Sequence, residues 1–147
     1  MGVKGFFHFR LILSALTGVF FLTSNATGAD MTESDKNWDK VFAKSDMVDV
    51  SKVRFKNRYG IELTGDLYLP KGKASEKLAA IAVSGPFGAV KEQASGLYAQ
   101  TMAERGFAAL AFDPSYTGES GGEPRLVASP DINTEDFSAA VDFLSNQ

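Results

Sequence analysis

The sequence predicts an α/β fold, an antiparallel hairpin followed by a parallel βαβα run. Three observations carry this expectation. Alternating apolar residues flank the turn residues Asn57-Arg58-Tyr59-Gly60. Two short, continuous apolar runs, residues 78–83 and 107–112, bracket a segment of helical periodicity. A second helical segment follows near residue 140, after a long loop rich in Gly, Pro and Ser.

Each element has its own justification. Val53 and Phe55 alternate with Arg54 and Lys56, the period of a half-buried strand. Gly60 closes a four-residue connection, and Ile61, Leu63, Leu67 and Leu69 resume the alternation up to Pro70, which makes a hairpin. Residues 71–77 form a charged loop. The run 78–83 (LAAIAV) suits a strand buried on both faces, as in a parallel sheet. Ser84-Gly85-Pro86-Phe87-Gly88 breaks it. A helix is expected over 92–105, with Ala94, Leu97, Tyr98, Thr101 and Met102 on its apolar stripe and Gly106 as its C-terminal cap. Residues 107–112 (FAALAF) supply the second buried strand and complete a βαβ unit. The loop 113–131 is long enough to imply a functional or covering role. Asn133 or Thr134 is expected to cap the last helix, with Glu135 and Asp136 at its positive end and Phe137, Ala140, Val141 and Leu144 on its stripe.

Residues 1–29 read as a secretory signal peptide. Lys4 and Arg10 form a basic start, Leu11 to Leu22 an apolar run of about a dozen residues, and Ser24-Asn25-Ala26 or Thr27-Gly28-Ala29 the cleavage site. The run is shorter than the ~20 residues that span a bilayer, so cleavage is expected over a retained anchor. Residues 30–49 read as a polar linker with a short amphipathic segment at Trp38, Val41 and Phe42, and residues 50–147 as the domain. This predicts a secreted or periplasmic protein with no stable membrane anchor after cleavage.

Composition then removes whole classes of chemistry. There is no cysteine, hence no disulfide, thiolate metal site or cysteine nucleophile within the chain. The one histidine, His8, leaves with the signal peptide. Without Lys4 and Arg10 the basic count falls from 15 to 13 against 18 acidic residues, a net charge of −5, which argues against nucleic acid as a partner. No metal ligand set or cofactor motif is complete.

Three glycine-containing segments are candidates for chemistry. Gly118-Glu119-Ser120-Gly121-Gly122 matches G-x-S-x-G, a nucleophile elbow. Its context is wrong: the preceding strand ends several residues earlier, Glu123-Pro124 follows in place of an apolar helix, and no histidine remains to activate Ser120. Gly85-Pro86-Phe87-Gly88 lies between a buried strand and a helix, where backbone N–H groups bind anions. Phe87 and Gly88 are candidate oxyanion-hole donors, whereas Pro86 has no N–H to give. The same loop also admits a dinucleotide site, with Asp113, 28 residues beyond Gly85, on the ribose, or a plain tight turn. The dinucleotide fingerprint G-x-G-x-x-G is broken at Phe87. The third segment is Asp113-Pro114-Ser115-Tyr116-Thr117-Gly118. Asp113, at the carboxyl end of a strand where open α/β sheets bind ligands, is read first as a residue that hydrogen-bonds its own loop.

Taken in order, these segments resemble the N-terminal part of an α/β-hydrolase sheet. Residues 53–69 are similar to the opening strands, 81–88 to the third strand and oxyanion loop, 89–107 to the first helix with its Arg105-Gly106-Phe107 exit, and 112–125 to the loop after the fourth strand. The stretch FKNRYGIELTGDLYLPKGK looks most like secreted dienelactone-hydrolase-like and Xaa-Pro-dipeptidyl-peptidase-like proteins. The chain departs from the pattern at Ser84-Gly85, where His-Gly is common, and at Pro114-Ser115, where an arginine is usual. The resemblance implies hydrolysis of an ester, lactone or peptide bond, with a small molecule or peptide as substrate. It also places Ser120 outside the elbow and sets the nucleophile (Ser or Cys), acid and histidine beyond Gln147. The expectation is therefore a truncated sheet, inactive by itself. Two other readings stay open, a dinucleotide-binding oxidoreductase fragment and a non-catalytic envelope binding protein.

Overall fold

The computed structural model describes residues 38–147. The signal peptide expected over 1–29 lies outside the described residues, as does the first part of the polar stretch 30–49.

The elements are β1 (Val48–Lys56), β2 (Glu62–Pro70), β3 (Ala80–Val83), α1 (Ala94–Glu104), β4 (Ala108–Phe112) and α2 (Pro130–Ser145). They build one four-stranded sheet in the order β1-β2-β4-β3. β2 runs antiparallel to β1 and to β4, while β3 and β4 are parallel. The hairpin-then-βαβα architecture read from the sequence is the one observed.

The sheet's two faces bury different material, because side chains alternate along each strand. On one face Tyr68, Ala109 and Ala111 meet Ala99 and Ala103 of α1, with Trp38 and Phe42 packed alongside. On the other, Leu67, Leu110 and Phe112 meet Ala140 of α2, with Phe55 and Phe143. The second face is aromatic. Phe55 stacks on Phe143 at 5.1 Å between ring centroids, and Phe112 meets Phe137 edge-on at 5.1 Å. Trp38 therefore packs, as its helical spacing with Phe42 suggested, although residues 40–42 bend without forming a helix.

Four expectations need correction. The hairpin connection has five residues, because Ile61 is drawn out of the strand when its N–H bonds Asn57 Oδ1 at 3.0 Å. The run 78–83 yields only a four-residue strand that is half-buried, since β3 stands at the end of the strand order. α1 buries Ser95, Gly96, Ala99, Gln100 and Ala103, while Leu97 and Tyr98 face outward. Small residues win that face because the helix lies close on the sheet: a side chain at Gly96 would overlap the Lys91 carbonyl and crowd the Tyr68 hydroxyl. Finally, α2 starts at Pro130, not near Asn133. Ser129 caps it by accepting from Ile132 N–H at 3.5 Å, and Pro130 occupies the first position, where a missing N–H costs nothing. Glu135 and Asp136 thus fall in the second turn, and both are buried. Glu135 Oε1 accepts the Arg58 N–H at 3.0 Å, and Asp136 Oδ1 accepts from Asn57 Nδ2 at 2.8 Å. The two acids hold the hairpin turn against α2.

Candidate functional site

The carboxyl ends of the parallel strands β3 and β4 lie side by side, where open α/β sheets bind ligands. Two loops leave from there. The first, residues 84–93, joins β3 to α1 and contains Phe87 and Gly88. The second, residues 113–129, joins β4 to α2 and contains Asp113 and Ser120.

Phe87 and Gly88 stand at the tip of the first loop, and Phe87 is 73% exposed. The tip is a turn closed by Ala89 N–H on the Pro86 carbonyl at 3.0 Å. Among the described residues neither the Phe87 nor the Gly88 amide has a hydrogen-bond partner. Both border a small concavity of about 50 Å³ whose other walls include Pro114, Thr117, Val127 and Asn133 of the second loop and the start of α2. A larger concavity, about 480 Å³, lies against residues 38–52 and Asp66 and includes none of the three glycine segments.

Ser120 is placed as the sequence context argued. It is 2% exposed. Its hydroxyl donates to the Asp113 carbonyl at 2.6 Å and accepts the Thr64 N–H at 2.9 Å. With its proton committed and no imidazole among the described residues, Ser120 joins the loop to β2 and is not poised to attack.

Asp113 is wholly buried. Its Oδ1 accepts the Lys91 N–H at 2.8 Å, and its Oδ2 accepts Lys91 Nζ at 3.1 Å and the Glu119 N–H at 3.0 Å. Gly118, at φ +53°, lets the carboxylate nest there, since a side chain at that position would overlap it. Asp113 thus bonds its own loop, as first read, and also the neighbouring one. Both oxygens are engaged and the carboxylate is wholly buried, so it does not face a ribose, which counts against the dinucleotide reading of this residue.

Lys91 was not singled out by its sequence neighbourhood, because a lone lysine ahead of a helix is ordinarily a solvated one. Here its side chain is fully buried, with Glu119 Oε2 at 2.7 Å, Asp113 Oδ2 at 3.1 Å and Glu92 Oε1 also paired. Burial works against the ammonium, but Glu119, Glu92 and Asp113 together outweigh it and hold its pKa above the usual lysine value. Glu119 also binds Lys52 at 2.7 Å; Lys52 first and Lys91 second pull its carboxyl down to about 2. Arg125 closes the second loop from outside, donating to the Gly118 carbonyl at 2.8 Å and to the Ser120 carbonyl.

No family model matches the chain. A crystal structure of a hypothetical protein from Pseudomonas aeruginosa is 72% identical, with a TM-score of 0.71 over 75% of this chain and 34% of that one. The α/β hydrolase GrgF from Penicillium is 30% identical, with a TM-score of 0.58 over 66% of this chain and 32% of that one. The thiohydrolase aneE of Aspergillus aculeatus is 38% identical over 66% of this chain and 29% of its own length. The chain spans about a third of the length of the curated relatives it matches. Strand order, helix placement and these likenesses agree: the chain carries part of the α/β-hydrolase fold.

Proposed function

We propose that this chain supplies the oxyanion-binding part of a secreted or periplasmic hydrolase that cleaves an ester, lactone or peptide bond. The single observation that carries the reading is the exposed turn at Phe87-Gly88. Its two amides have no partner among the described residues, beside the carboxyl ends of β3 and β4. Two preorganised N–H donors there would stabilise the negative charge that develops on a carbonyl oxygen during acyl transfer. A relative named a thiohydrolase and a solved neighbour named an α/β hydrolase support acyl chemistry of this kind. The hairpin stretch favours the dienelactone-hydrolase-like branch. The nucleophile, acid and histidine are assigned to polypeptide beyond Gln147, because the described residues contain no histidine or cysteine and Ser120 is committed to structure.

The test is p-nitrophenyl acetate turnover by the purified chain. No turnover above buffer is expected. A chimera that continues after Gln147 with the remainder of the Pseudomonas aeruginosa relative should turn the ester over, and Ser120→Ala should leave that chemistry in place wherever the protein still folds. Turnover by the chain alone that Ser120→Ala abolishes would overturn the assignment.

A further inference from the structure

The turn that presents Phe87 and Gly88 has little to hold it from within. Its own bonds are Ala89 N–H on Pro86 O at 3.0 Å, Val90 N–H on Gln93 Oε1 at 3.3 Å and Gln93 N–H on Val90 O at 3.1 Å. Ser84 ties the start of the loop to the end of β4, its hydroxyl donating to the Phe112 carbonyl at 3.3 Å, and Lys91 ties the part beyond the tip. The Lys91 backbone N–H and ammonium both bind Asp113, and the ammonium reaches on to Glu119 in the second loop. Asp113 in turn accepts the Glu119 N–H. Two loops are therefore joined through one wholly buried cation. A buried ionic cluster is a poor way to gain stability, because well-packed apolar residues usually do as well. It is a good way to fix the relative position of two backbone segments, since each bond has a set length and direction.

We infer that Lys91 is a positioning residue: through Asp113 and Glu119 it sets where the Phe87 and Gly88 amides stand relative to the loop after β4. The catalytic meaning of that position rests on the proposed function, whereas the tie itself does not.

Backbone amide exchange on the full chain reads the tie. In Lys91→Met, exchange should rise about tenfold or more both at the hydrogen-bonded amides of Ala89 and Val90 and at 119–121, with the β2 and β4 amides unchanged. Should Lys91→Met not fold, Glu119→Gln, which alters a half-exposed carboxylate, should raise exchange in both loops by a smaller factor. A rise confined to the mutated loop overturns the inference. Titration of the ¹⁵N-labelled full chain with methylphosphonate then reads the site. The Phe87 and Gly88 resonances should shift saturably, and the folded variant should bind about tenfold more weakly. Equal affinity in wild type and variant overturns the role of Lys91 and leaves the oxyanion reading standing. Absence of any wild-type shift overturns the oxyanion reading, and with it the positioning role, even where the exchange result holds.

Discussion

The two loops at the carboxyl end of the sheet are built in opposite ways. The loop after β4 is knitted from within: Tyr116 N–H bonds Gly121 O at 2.7 Å, Ser120 N–H bonds Thr117 O at 3.1 Å, and Leu126 N–H returns to Tyr116 O at 2.8 Å. Gly121 N–H adds a bond to Glu62 O at 2.8 Å, and Asp136 accepts the Ser115 N–H at 2.8 Å, so β2 and α2 hold the loop as well. The loop after β3 has an exposed tip, few internal bonds and an anchor borrowed from its neighbour. The G-x-S-x-G match lies in the rigid loop, where its serine is consumed by structure. The candidate donors lie in the sparse one, where backbone N–H groups remain available. A motif marks a site only where its polar atoms are left without partners.

The most severe way to break this contrast is Asp113→Ala. It takes a carboxylate from the buried Lys91 and orphans two N–H groups, so stability should fall by about 3–5 kcal/mol. Urea denaturation would show it, and a loss under 1 kcal/mol would mean that the loops do not depend on each other. Ser120→Ala comes next. Thr64 N–H and the Asp113 carbonyl lose their partner in the interior, at a cost of about 1–3 kcal/mol by the same measurement.

A smaller effect should appear with acid. The Glu119 carboxyl sits at about 2 in the folded chain, below its ordinary value of 4.5. A depressed carboxyl contributes stability that is complete above its unfolded pKa and disappears as the pH falls from about 4.5 through about 2. Glu119→Gln should therefore flatten the acid limb of the stability curve in that window, with its cost greatest at neutral pH and vanishing near pH 2. The change should be modest, because the carboxylate is half-exposed and screened. Smallest of all is Phe87→Ala. An exposed tip residue should move stability by less than about 0.5 kcal/mol, while altering whatever the 50 Å³ concavity accepts. A large loss there would mean that the tip packs rather than presents.

Strand positions were legible because alternation is local, and a residue's neighbours in sequence set which face it takes. Val53 and Phe55 pack against one face of the sheet as their period of two required. The helix faces were less legible. Hydrophobicity pointed to Leu97 and Tyr98, but close approach to the sheet selected Gly96, Ala99 and Ala103, and closeness is a property of two elements together. The start of α2 is marked in the sequence by Ser129-Pro130, a cap followed by a first-turn proline, with Asn133 and Thr134 as competing polar caps further on.

From sequence alone came the hairpin, the βαβ unit, the absence of histidine and cysteine after residue 29, and the doubt over Ser120, since each is a matter of residue type, period or count. The tertiary structure decided what the polar residues do. Lys91 and Asp113 are 22 positions apart, Asn57 and Asp136 79 apart, and each pair meets only because the sheet brings its segments together. A charge has no preferred period along a chain. Its partner is chosen by the low-dielectric interior in which it is buried, where an unpaired ion costs more than the ordering needed to pair it.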